Sequence, residues 1–218
     1  MRAGQQTMTT LRLVLLARRV PMLLLLVVAV TGVSYAFYRT AINVDLGVNP
    51  FARPHKIPTP ELIAVVTGVL ASAILRPRCW EWERLGGIRV RLLAVVLAAT
   101  AIALPVLPAL VGKHTMPAGI DLWWILPNTL TMGGFTLLLS ALLGPPLGGA
   151  VSIAGYFALA LTDNLLTNVE PYLPLTMYPA QHGKWVPALC LVPTALAVHF
   201  VTRGLSSWAY RLERNSGT

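Results

Sequence analysis

LLAVVLAATAIALPVLPALV, Leu92 to Val111, runs for twenty residues without a charge. A bilayer core about 30 Å thick takes about 20 mostly apolar helical residues to cross, so this run has the length and composition of a transmembrane helix. Working outward, five more stretches read the same way or nearly so: Val20–Tyr38, Pro60–Leu75, Leu122–Leu143, Gly148–Leu166 and Trp185–Val201. Pro60–Leu75 and Trp185–Val201 are short and need snorkelling flanks or local thinning of the bilayer. No second domain remains in the 218 residues once these six are placed. The expected fold class is all-α, one polytopic membrane domain with six spans.

Charge orients the spans. The formal net charge is +9, which in a soluble protein would suggest nucleic acid. With both termini placed in the cytoplasm, the inside segments carry twelve Lys and Arg: four in residues 1–19, five in 76–91 and three in the tail 202–218. The outside segments carry five: Arg39, Arg53, Lys56, Lys113 and Lys184. Positive residues concentrate on the cytoplasmic side of membrane proteins, so the basic balance reads as topology and not as nucleic-acid binding. Residues 20–38 end in Ser34-x-Ala36, as a signal peptide can, but are long enough to be an uncleaved first span. Thr9-Thr10 could cap a short interfacial helix, Leu11 to Ala17, ahead of it.

Within the apolar runs, Gly148, Ser152 and Gly155 form a small-residue stripe for close helix approach. Pro105, Pro108, Pro127 and Pro193 are expected to kink or loosen their helices. GPPLGG, Gly144 to Gly149, reads as a tight turn between spans four and five.

Catalytic motifs are missing: no phosphate loop, no G-x-S-x-G elbow and no H-E-x-x-H. Cys79 and Cys190 form no C-x-x-C pair and are separated by topology, with Cys190 inside the sixth span. A metal site from His114, His182 and Asp121 is conceivable, but no two histidines share ligand spacing on one helix. No cofactor is expected. One polar pair is expected inside the membrane. Asp163 and Asn128 stand at matched distances either side of Pro145-Pro146, so the Asn128 amide could donate to the Asp163 carboxylate across the hairpin.

RPRCWEWERLGGIRVR, Arg76 to Arg91, holds seven charged residues in sixteen, in a chain that is 11% charged. As a helix its Cys79, Trp82 and Leu85 stack on one apolar stripe, with Trp80, Glu83 and Arg84 away from it, and Gly86-Gly87 stops it. A purely lipid-facing loop explains the arginines but not Glu81 and Glu83, which an anionic leaflet disfavours. A short, mixed-charge helix with two Trp residues suits a protein partner.

In this layout the chain resembles the membrane subunit of an ABC exporter of the ABC-2 permease type. The likeness rests on six spans with both ends inside, on Thr9–Arg19 as an interfacial helix before span one, and on the Arg78–Leu85 helix, with Glu83-Arg84 followed by Gly86, between spans two and three. It rests too on TNVEPYLPLTMYPAQHGK before span six. The resemblance implies a permease without catalytic residues, in a bacterial cell membrane, paired with a second permease copy or a related chain and with a separate ATPase. Trp80, Trp82, Glu83, Arg84 and Leu85 would form the coupling helix that docks that ATPase. Two other classes stay open: a membrane partner or immunity-type protein that transports nothing, and a lipid-processing enzyme using Asp163, Glu170 and His182.

Overall fold

The computed structural model describes residues 15–37, 40–44, 55–114, 123–166, 169–176 and 182–216. Helix α1 is Val20–Ala36, followed by the strands β1 (Ala41–Val44) and β2 (His55–Pro58) and by α2 (Thr59–Ile74). Next come the short α3 (Trp80–Leu85), α4 (Ile88–Ala103), α5 (Val106–His114), α6 (Ile125–Leu143) and α7 (Pro145–Leu165). A 3-10 turn, Glu170–Tyr172, leads to α8 (Trp185–Thr202) and α9 (Ser207–Ser216). The all-α expectation holds apart from one antiparallel ribbon, in which Ala41 pairs with Pro58 and Val44 with His55.

Among the described residues, four helical segments are long and apolar enough to cross a membrane: Ile88–Val111, Ile125–Leu143, Pro145–Thr162 and Trp185–Thr202. Val20–Ala36 and Thr59–Ile74 are apolar but shorter. Helix α6 is the axis, packing against α2, α4, α5, α7, α8 and α9. Helix α8 lies at the rim, and Cys190, expected inside the sixth span, sits exposed on its outward side, as does Val186. The main core joins Leu23, Ala71, Leu97, Ala98, Ala101, Leu137 and Ala195 from five helices. Four of the nine buried residues of this cluster are alanines, whose small side chains let apolar helices approach closely.

The prolines act by position. Pro105 falls in the turn that divides α4 from α5, as expected of a residue with no N–H to give its helix. Pro127 is in the first turn of α6, where no N–H partner is needed, and breaks nothing. The turn expected over Gly144–Gly149 is shorter than that. Gly144 alone separates α6 from α7, at φ 88°, and Pro145 and Pro146 already begin the next helix. Glycine is needed there for the positive φ. Gly148 is needed for a different reason: a Cβ would stand 2.6 Å from the Ser140 backbone nitrogen.

Two polar contacts fix the relative direction of α2 and α6. Glu61 meets Asn128 near the start of both helices, and Ser140 Oγ donates to Ser72 Oγ at 3.1 Å near the end of both. The two helices are therefore parallel neighbours, with a buried polar contact at each end. The expected interfacial helix over Leu11–Ala17 lies largely outside the described residues; only 15–17 are seen, and they are helical.

Candidate functional site

Two knots of polar side chains stand at opposite ends of α2 and α6. The first forms around α3. Trp80 turns inward, donates from Nε1 to the Leu205 carbonyl at 2.9 Å, and packs with Leu205 and Ala209. Its ring stacks on Tyr210, with centroids 4.2 Å apart at an interplanar angle of 14°, and the Arg84 guanidinium lies 4.8 Å from its centre. The Tyr210 hydroxyl donates to Glu81 Oε1 at 2.9 Å. That bond to the carboxylate raises the Tyr210 pKa, since ionisation would give up the proton it shares.

Glu83 is also buried and is held by Arg18 in an ion pair that uses both carboxylate oxygens. Arg18 reaches further, donating to the Arg203 carbonyl at 3.0 Å and to the Leu75 carbonyl at 3.5 Å. One guanidinium thus joins α3 to the start of α1 and to the ends of α2 and α8. Local backbone makes this possible. Arg19 caps α1 in the left-handed region at φ 51°, turning the chain where Arg18 enters the interior. Arg203 and Gly204 end α8 at φ 57° and 95°, a left-handed stop that leaves the Arg203 carbonyl free to accept. Ser206 then fastens α9 to the end of α6. Its N–H donates to Ala141 O at 2.8 Å and its Oγ accepts from Ala209 N at 3.0 Å, an N-cap. A small cavity beside this knot is lined by Arg18, Ser72, Leu97, Ser140 and His199.

The five residues expected to form a partner-binding helix therefore divide. Trp80 and Glu83 are consumed within the chain, and Arg84 covers the Trp80 ring. Trp82 and Leu85 point away, 80% and 86% exposed, with Cys79 exposed beside them. The apolar stripe is where the helical spacing put it. The sequence did not reveal that Glu83 lies on the buried side with Trp80, because its partner, Arg18, is 65 residues away in the chain.

The second knot surrounds Asn128. Its Nδ2 donates to Glu61 Oε1 at 2.8 Å and to the Thr176 carbonyl at 2.7 Å, and its Oδ1 accepts from Thr176 N at 2.9 Å. Both amide hydrogens are thus used on partners other than Asp163, whose side chain lies outside the described residues. Hairpin symmetry pointed from α6 to its neighbour in sequence, α7. The observed carboxyl comes from α2, which runs parallel to α6. Glu61 is 2% exposed, and the buried Tyr156 of α7 lies near it. Its signal in the sequence was a lone acidic residue in the first turn of an apolar helix, easily mistaken for a helix boundary. Thr176 Oγ1 accepts from Lys184 N at 3.2 Å and donates to His182 O at 3.4 Å, while Lys184 Nζ donates to Leu173 O at 2.9 Å. Residues 173–176 are thereby tied to residues 182–184 and pinned to α6.

Neither knot sets a nucleophile beside a base. Among the described residues no three His, Cys, Asp or Glu side chains converge as metal ligands. The expected set His114, His182 and Asp121 rests partly on residues outside the description, and His182 is exposed. Chemically, both knots hold helices and loops in place. In comparisons with known proteins the chain matches no family model, no curated protein and no solved structure. The fold defines a helical bundle whose four long apolar helices are compatible with a membrane protein.

Proposed function

We propose that this chain is the membrane subunit of an ABC-2-type exporter in a bacterial cell membrane, paired with a second permease and driven by a separate ATPase. The observation that carries the reading is α3. A six-residue helix is anchored to its own bundle through Trp80 and Glu83 and turns Trp82 and Leu85 outward. A force applied to its outer face would reach α1, α2 and α8 through Arg18 and α9 through Trp80.

The reading takes α1 and α2 as spans beside the four longer helices, with residues 76–91 and both termini in the cytoplasm. At 1.5 Å per residue α1 and α2 each extend about 25 Å, short enough to require flanking anchors. The alternation of directions supports this. The start of α1, the ends of α2 and α8, the α6–α7 turn and α3 all gather at one end, and the basic residues of 76–91 and 202–218 gather with them.

The test is affinity purification of the tagged chain from its native host in mild detergent. Wild type is expected to bring down a nucleotide-binding protein. Trp82→Ala is expected to release it while inserting at normal abundance, since truncating an aromatic anchor commonly costs about 2 kcal/mol or more. Glu83 is unsuitable for the same test because changing it would break the Arg18 pair. A wild-type preparation with no ATPase, or with a different membrane protein, would remove the exporter reading in favour of a non-transporting partner.

A further inference from the structure

We propose that Glu61, Asn128 and Thr176 form a latch that holds residues 173–176 and the start of α8 over the non-cytoplasmic end of the bundle, and that this end opens when Thr176 leaves Asn128. The assignment of that end rests on the exporter topology above; the latch itself rests on the geometry that follows.

Asn128 binds Thr176 through a closed ring of two hydrogen bonds, side-chain amide to backbone N–H and C=O. It is the pairing one strand makes with the next, made here between a helix and a loop. Glu61 fixes the direction of that amide. Turned over, Asn128 would set its carbonyl oxygen against Glu61 Oε1 and its NH2 against the Thr176 N–H, losing the ring. Tyr156 of α7 is buried near that carboxyl. Two helices thus converge on one loop residue.

The held residues are tied to one another on both sides of residues 177–181. Thr176 is bonded to Lys184 N and His182 O, and Lys184 reaches back to Leu173 O. Leu175, wholly buried, packs with Val65, Met132, Tyr156 and Ala160. Gly183 lies so close to the start of α6 that a Cβ would stand 2.5 Å from Pro127 Cγ. Release of Thr176 would therefore uncover Leu175 and free residues 173–176 together with the first turn of α8. The partners Glu61 and Asn128 stay behind on α2 and α6, facing whatever enters the space.

The experiment measures how fast an external, membrane-impermeant maleimide labels Leu175→Cys in whole cells, in a chain whose Cys79 and Cys190 are serine. Labelling is expected to be slow in this parent, at least tenfold faster with Asn128→Leu or Glu61→Ala, and unchanged with Glu61→Gln, whose amide oxygen still accepts from Asn128. Ala101→Cys, in the core, reports folding and must stay unlabelled in each background. If Asn128→Leu exposes that core thiol, Glu61→Ala is the deciding variant. Labelling within twofold of the parent in a folded latch variant would overturn the latch, as would equal acceleration by Glu61→Gln. Depleting cellular ATP separates this from the exporter reading: latch effects that persist with no ATP dependence in the parent would keep the latch and sink the exporter.

Discussion

The two ends of the bundle are tied by different chemistry. Around α3 the tie is ionic, an arginine and a glutamate both removed from solvent and locked into the ends of three other helices. Around Asn128 a single carboxyl is met by a neutral amide, and Thr176 is held through that same amide. Separating a buried ion pair leaves two charges in a medium that solvates neither, so such a tie stays made. Parting an amide from a backbone exposes groups that water readily satisfies, so that tie can open and close. The contrast assigns permanence to the α3 end and reversibility to the other.

The largest test of this contrast is Arg18→Ala, which strands the Glu83 carboxylate. Loss of one partner of a buried pair typically costs about 3–5 kcal/mol, so a large fall in the apparent melting temperature in detergent is expected. Arg18→Met with Glu83→Leu should recover more than half of it, because the penalty lies in the orphaned charge. A single variant that melts with wild type would show that the pair contributes nothing.

Next is Trp80→Ala, expected to cost about 3 kcal/mol by emptying the contact with Leu205 and Ala209. Limited trypsin digestion should then cut at Arg211 at protease levels that leave wild type whole. If the contrast between the ends holds, Asn128→Leu is milder globally, about 1–3 kcal/mol for the lost amide bonds. Its signature should be local: amide exchange should rise at Leu175 and Thr176 while α6 stays protected. At the small end, Tyr210→Phe loses an exposed bond to Glu81 and should change stability by less than about 0.5 kcal/mol. A larger effect there would mean that α9 is held by its rim and not by Trp80.

What was legible in the sequence followed from solvent and from local backbone rules. Apolar length located the helices, Pro105 marked the break after α4, and WEWERL with two following glycines marked α3 and its exposed stripe. The β1–β2 ribbon was not legible, because four-residue strands carry too little pattern to stand out in a long loop. The α6–α7 turn was drawn too long, since two prolines suggest a stop but are also favoured in a first helical turn. The polar knots were the least legible part. Trp80 finds its acceptor 125 residues away, and Asn128 finds Glu61 across 67. Spacing along one helix gives faces, and only the packing of helices distant in sequence decides which faces meet. The Asn128–Asp163 expectation rests partly on a side chain outside the described residues; among those described, Asn128 meets the Glu61 carboxyl of α2.

The single-residue turn at Gly144 bears on how such a protein would be made. Under the proposed topology, α6 would reach the cytoplasmic side with no tract of chain to pause there and no basic residue to retain it. Gly148 lies against the Ser140 backbone just beyond the turn, so α6 would meet the backbone of α7 as soon as α7 emerges. The two helices would then leave the ribosome as separate spans but pass into lipid as one preformed hairpin, with insertion of the first committed only by synthesis of the second.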